Sequence, residues 1–206
     1  MENSNIDKRI GQIGAGVVTL CVAGFALGML VNQIIVCYLT SIGIAWGLVL
    51  MNSAFLRFSR PDAKVAAMAA VAFGAMYALC NTMVYFIQVS TVRNVELTGV
   101  ALQLLDYRQF GMMFDLDLLG YCLMAVSTFF AGLTILVRDK GDRWLKMLLL
   151  LHGVFAIGCF ILPMLGLFST SMQGADWIGT VIMEFWCVFF LPIGILTFRY
   201  FTKAKD

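Results

Sequence analysis

Charge is what this chain has least of: 13% of its 206 residues are Asp, Glu, Lys or Arg, about half the share of an average globular domain, while 61% are hydrophobic. So few polar residues cannot coat a water-soluble body of this size, which excludes an ordinary soluble domain. There is no basic cluster with interleaved aromatics, so the electrostatic term that dominates nucleic-acid binding is missing and no nucleic-acid partner is expected. A single histidine, His152, supplies one ligand where zinc takes three or four, and no metal is expected. The six cysteines, Cys21, Cys37, Cys80, Cys122, Cys159 and Cys187, never fall in a CxxC or metal-ligand spacing, and read as small apolar side chains in separate spans. HExxH, GxSxG and P-loop patterns are absent, and no loop is long enough for a soluble catalytic head. No catalytic residue and no cofactor are therefore expected; chemistry on lipids inside the bundle, which would ordinarily need a carboxylate or histidine cluster, stays a third reading. No Ala-x-Ala cleavage site follows the first apolar run, so the first span is expected to stay uncleaved.

Long apolar runs are what the chain does have. From Gly11 to Leu56 there is no charged side chain, and those 46 residues would make a helix of about 69 Å, far too long for one crossing and right for two. The polar break at Asn32-Gln33 divides them. Continuing in this way predicts an all-α membrane bundle of six transmembrane helices in one domain covering 1–206, with spans at about 10–31, 34–56, 65–89, 116–137, 147–168 and 178–198. Pro163 and Pro192 are expected to kink the last two spans. The longest non-spanning segment, 90–115, carries Leu97, Val100, Ala101, Leu104 and Leu105 at helical spacing, which predicts a short helix at the membrane interface.

Twelve of the fourteen basic residues fall on the side that holds both termini, and only Arg93 and Arg108 fall on the other. Lys and Arg collect on cytoplasmic flanks during insertion, so both termini are expected in the cytoplasm of a cell carrying the protein in its membrane, on a loop-poor build that suggests a bacterial cytoplasmic membrane. Trp144 and Trp177 fall at expected interfaces.

Polar residues within spans select the candidate site. On the third span Ala70, Gly74, Tyr77, Asn81, Tyr85 and Gln88 recur every three or four residues and share one face. Amides facing hydrocarbon would be unsatisfied, so that face points inward. The fourth span repeats the device with Asp117, Tyr121, Ala125, Thr128 and Gly132, and the sixth adds Thr180 and Glu184. Counting helical rise from the outer ends puts Tyr85 and Tyr121 about 6 Å deep, Glu184 about 10 Å and Asn81 about 12 Å. The expectation is a polar cavity open to the outside and lined by Glu184, Asn81, Tyr85, Gln88, Tyr77, Asp117, Tyr121 and Thr180, with Asp115 at its mouth. Glu184, the carboxylate deepest in a span, would bind a cation or amine or carry a proton; its bland reading is an interhelical hydrogen bond. His152 sits at another level, either as a packing histidine or as half of a proton relay.

Gly24-x-x-x-Gly28 and Gly43-x-x-x-Gly47 allow two helix backbones to approach closely, within the bundle or against a protein partner or second copy. The function expected is binding or transport of a small solute or cation through the outward cavity. The alternative is a non-enzymatic sensor, regulatory or immunity-type subunit working through protein partners.

The stretches Tyr85-Phe86-Ile87-Gln88, Tyr107-Arg108-Gln109-Phe110 and Phe114-Asp115-Leu116-Asp117-Leu118-Leu119-Gly120-Tyr121 resemble, in texture over about half the chain, small six-span proteins of bacterial inner membranes that bring no activity to carry over. In size, span count and terminal orientation the chain is also similar to the substrate-binding subunits of energy-coupling-factor transporters. It departs from their Ala-x-x-x-Ala docking signature in the first helix, where Gly24-x-x-x-Gly28 stands.

Overall fold

The computed structural model describes residues 2–166, 168 and 176–204, which are helical and contain no strand. The helices are α1 (Glu2–Leu30), α2 (Ile34–Phe58), α3 (Lys64–Ile87), α4 (Gly99–Leu105), α5 (Met112–Thr134), α6 (Lys140–His152), α7 (Phe155–Met164) and α8 (Asp176–Thr202). Six stretches are long and apolar enough to cross a membrane, at Asn5–Leu30, Ile34–Phe58, Pro61–Val92, Met112–Thr134, Lys140–Met164 and Trp177–Thr202. This is a multi-pass, all-helical membrane bundle.

The spans close into a ring: α1 packs along α2 and α8, α2 along α3, α3 along α5, α5 along α6, and α6 against α8. The interior mixes large apolar side chains such as Phe55, Leu48 and Phe190 with small and polar ones, while the outer surface is apolar. Large apolar side chains such as Leu20, Val65, Leu79, Phe185 and Val188 point out, and small or polar ones such as Ala15, Ser41, Ala70, Asn81, Ala125 and Ser127 point in. The four glycines of the two small-residue pairs lie in the α1–α2 seam. Their added Cβ atoms would meet Thr40 at Gly24, Cys37 at Gly28, Cys21 at Gly43 and the Gly14 carbonyl at Gly47. Between α2, α3 and α5, Asn52 Nδ2 donates to the Ala70 carbonyl (3.1 Å) and to Ser127 Oγ (2.8 Å), and Ser127 Oγ donates to the same carbonyl (2.7 Å).

Both termini lie at one end of the bundle, where Gln12 Nε2 donates to Thr202 Oγ1 (3.1 Å) and Arg57 pairs with Asp7 (3.0 Å). The loop between α5 and α6 is clasped there to the end of α8. Arg138 bonds Asp142 (2.8 Å), donates to the Tyr200 carbonyl (3.1 Å) and lies over the Tyr200 ring (4.3 Å), while Asp139 accepts from Arg199 (3.1 Å) and from Lys203. The Lys203 ammonium first, then the backbone N–H of Asp142, hold the Asp139 carboxyl well below the usual carboxylate range. We call this the basic end, and the opposite one, where α4 lies, the far end.

Several boundaries differ from the sequence reading for identifiable reasons. The fifth span begins at Lys140, not near residue 147, because Asp139 caps α6 by accepting from Asp142 N–H (3.0 Å). It is interrupted at Gly153–Val154, ten residues before the expected kink at Pro163; Gly153 is pressed so close to Phe129 that an added Cβ would lie 2.8 Å from its Cβ. Pro163 stands one residue before the end of α7, and α8 runs through Pro192 without a break. The expected end of the fifth span at Phe168 falls at the margin of the described residues. The short helix expected in 90–115 is α4, with Val100 and Leu104 exposed.

Candidate functional site

The α3 and α5 faces selected from the sequence point inward and meet. Tyr77, Asn81, Tyr85 and Gln88 are buried on α3, and Asp117, Ala125, Thr128 and Gly132 on α5, with Tyr121 half-buried between them. Gly120 faces this seam, where a Cβ would sit in ordinary contact, 3.7 Å from the Tyr77 ring and 3.9 Å from the Asn81 backbone.

At the centre is Asp117, 1% exposed. Its Oδ2 accepts from the Tyr85 hydroxyl (3.1 Å), the Tyr107 hydroxyl flanks the same carboxylate, and the Tyr121 hydroxyl interacts with that of Tyr85. Tyr38 packs on Tyr85 (5.2 Å between ring centroids) and on Tyr107 (6.4 Å), and Tyr77 on Tyr121 (6.1 Å). Five of the chain's six tyrosines thus surround one carboxylate. The box is incompletely satisfied. Asp117 Oδ1 and both amide atoms of Asn81, itself fully buried, have no hydrogen-bond partner among the described residues. Each such atom costs about 1–3 kcal/mol, so a native structure retains them for a reason.

The segment between α4 and α5 straps over the far end of this box, and Gln88 is its latch. The Gln88 amide donates to the Leu105 carbonyl (2.8 Å), and its Oε1 accepts from Tyr107 N–H (3.1 Å). Asp106, 2% exposed, accepts from the backbone N–H (3.0 Å), Nε (3.1 Å) and Nη2 (3.0 Å) of Arg108. Burial raises the Asp106 carboxyl, but the bonds from Arg108 outweigh it and hold the group below its usual range. Phe110 turns the strap into α5 with φ 53°, a left-handed conformation uncommon for a bulky residue. Of the residues expected to line the cavity, Tyr77, Asn81, Tyr85, Gln88 and Asp117 are buried in this cluster and Tyr121 is half-buried beside them. A cavity of about 190 Å³ lies beside the box and is lined by Tyr38 and Gln88 among others.

Glu184 is not brought to this cluster. It is half-buried on α8, close to the neutral thiols of Cys37 of α2 and Cys187, and its Oε1 has no hydrogen-bond partner among the described residues; Thr180 is half-buried one turn before it. Asp115 is exposed in the first turn of α5. His152, 1% exposed, occupies a third place: Trp186 Nε1 donates to its Nε2 (3.0 Å), and its Nδ1 lies 2.7 Å from Thr128 Oγ1, which itself donates to the Ala125 carbonyl (2.9 Å). An indole N–H only donates, so Nε2 must accept and the proton sits on Nδ1. Every hydrogen-bonding position of this neutral ring is used, and Phe155, Phe189 and Phe190 pack around it. That is the geometry of a packing histidine joining α5, α6 and α8.

Tyr38, Tyr107 and Asn52 belong to the polar interior although the sequence reading passed over them. Tyr38 lies only four residues into α2, at the depth of Tyr85, and depth arithmetic applied to that span would have found it. Tyr107 lies in a loop, where such arithmetic has no purchase.

Fold and site together define a six-span helical membrane protein with an enclosed carboxylate–tyrosine box under a latched strap. No family model, curated protein or solved structure matches the chain.

Proposed function

We propose that this chain binds a small cationic or amine-bearing solute in the box around Asp117, and that the structure described is its closed form. The observation that carries the reading is the incomplete satisfaction of a buried site. A carboxylate oxygen and a whole carboxamide stand unpartnered among tyrosine rings, whose faces attract cations and whose hydroxyls orient donors. An ammonium group brings what is missing, donors for Asp117 Oδ1 and Asn81 Oδ1 and a positive charge for the carboxylate. Access runs through the far end, where release of the Gln88 bonds to residues 105 and 107 would lift Tyr107 from the box. Passage across the membrane would then require a second opening toward the basic end, and binding alone suffices for a receptor.

The same reading places the basic end, with both termini, in the cytoplasm, and the protein in the cytoplasmic membrane of a bacterium. The charge distribution and the loop-poor build support this. Glu184 becomes secondary to Asp117. The regulatory alternative keeps only the segment 90–115 as a contact surface, because both glycine pairs are filled by the α1–α2 seam.

Native mass spectrometry of the protein extracted gently from its own membrane tests the reading. A retained small molecule carrying an amine or fixed cation, lost in Asp117→Asn, is the expected result. A retained protein subunit with no small molecule in either form would overturn it.

A further inference from the structure

The two basic residues that break the charge rule, Arg93 and Arg108, line one cavity. It is the cavity of about 190 Å³ at the far end, walled by Ile34, Tyr38, Gln88 and Val92 and carrying Asp106 behind Arg108. Their convergence is built by the backbone. Gln88–Val92 is a wide π turn at the end of α3. In an α-helix, five steps of about 100° would put Arg93 about 140° away from Gln88. A turn with i→i+5 bonding rotates less per residue, so it brings Arg93, exposed at the rim, closer to the Gln88 face than an α-helix would, and both line the cavity. Such turns recur at functional sites, because they cost regular helix geometry and aim a side chain elsewhere.

The charges do not cancel. Arg108 is bound to Asp106, Arg93 has no ion pair among the described residues, and the three groups leave one net positive charge in a concave site. This cavity and the tyrosine box share walls. Tyr38 lines the cavity, packs on Tyr85 and lies within electrostatic reach of Arg108, Asp106 and Asp117 alike; Gln88 lines the cavity one turn above Tyr85, which holds Asp117. A positive cavity thus sits directly outside a negative box, separated by the latch.

From this juxtaposition we infer that the ligand is a zwitterion, its ammonium group held in the box by Asp117 and its carboxylate taken by Arg93 and the free edge of Arg108. The inference rests on the reading of the box as an amine site and adds the second half of the ligand. It also gives the strap a role. A ligand spanning both compartments must displace the Gln88 bonds, so occupancy and opening of the latch are coupled.

The test uses the full chain in detergent micelles and two matched series: glycine, β-alanine, γ-aminobutyrate and δ-aminovalerate against methylamine, ethylamine, propylamine and butylamine. Affinities are read by isothermal titration on wild type, Arg93→Gln and Asp117→Asn. At least one amino acid should bind about tenfold tighter than its amine, the gain of a charge-assisted hydrogen bond to the carboxylate, and that ratio should fall to about twofold or less in Arg93→Gln. Amines that bind wild type but not Asp117→Asn, with no amino acid exceeding its amine, would overturn the zwitterion while leaving the box standing. If neither series binds wild type, the box itself is refuted and this inference with it. Circular dichroism and gel filtration of each variant show that it is folded.

Discussion

Truncating His152 to alanine should be among the most destabilising single changes in the bundle, and the structure gives the size. The substitution removes the Trp186 Nε1–Nε2 and Nδ1–Thr128 hydrogen bonds, at 3.0 and 2.7 Å, each worth about 0.6–1 kcal/mol within a membrane bundle. It leaves the Trp186 N–H unsatisfied, for about 1–3 kcal/mol, and opens a ring-sized space among Phe155, Phe189 and Phe190. Partial collapse of those aromatics offsets some of this, and the expected total is about 3–4 kcal/mol. Trp186→Phe removes the donor while keeping the stacked contact to Phe190 at 4.9 Å. The coupling between the two changes should be about 0.5–2 kcal/mol. Reversible unfolding in mixed micelles titrated with dodecyl sulfate, run as a double-mutant cycle, measures both quantities. A cost below about 1 kcal/mol for His152→Ala, or a coupling indistinguishable from zero, would refute the network and return His152 to the list of candidate proton carriers.

Gly47→Ala should destabilise by about 1–3 kcal/mol, because its Cβ would meet the Gly14 carbonyl at 2.9 Å, whereas Gly16→Ala, with nothing within 4 Å, should be neutral or stabilising by up to about 1 kcal/mol; thermal unfolding separates the pair. Gln88→Leu should release residues 105–107 and increase amide hydrogen exchange across the strap, with little change at the basic end, as read by exchange mass spectrometry. The Asp106 carboxyl is depressed in the folded state, so its contribution to closing the strap is fully present above the unfolded value of about 3.9 and fades as pH falls through the lower folded value. Exchange in 105–110 should therefore rise below about pH 4, and in Asp106→Asn it should already be high at neutral pH and lose that acid dependence. Flat exchange from pH 7 to pH 3 in wild type would contradict the contribution of Asp106 to closing the strap.

The spans, the inward faces of α3 and α5 and the gathering of basic side chains at one end were legible from hydropathy, spacing and charge, because lipid leaves a helix few alternatives. What the sequence hid is which inward faces meet. Glu184 and Asn81 stand at comparable depth, but the ring order α3–α2–α1–α8 turns Glu184 toward Cys37, and no depth count reveals rotation about a helix axis. Asn52 was overlooked inside a charge-free run although an amide in mid-span demands partners as strictly as Asn81 does. The break at Gly153 was invisible because its cause, Phe129, lies on another helix. The strap is loop structure held by Gln88 and by its own Tyr107, and amphipathic spacing in 97–105 announced only its helix.

Direct binding to the tyrosine box tests the central claim. Butylamine should raise the melting temperature of wild type in micelles in a saturable way at low ionic strength, with no shift in Asp117→Asn and a weaker one in Asn81→Leu. Equal shifts in wild type and Asp117→Asn would contradict the account, because the carboxylate at the centre of the site would then be doing nothing for the ligand.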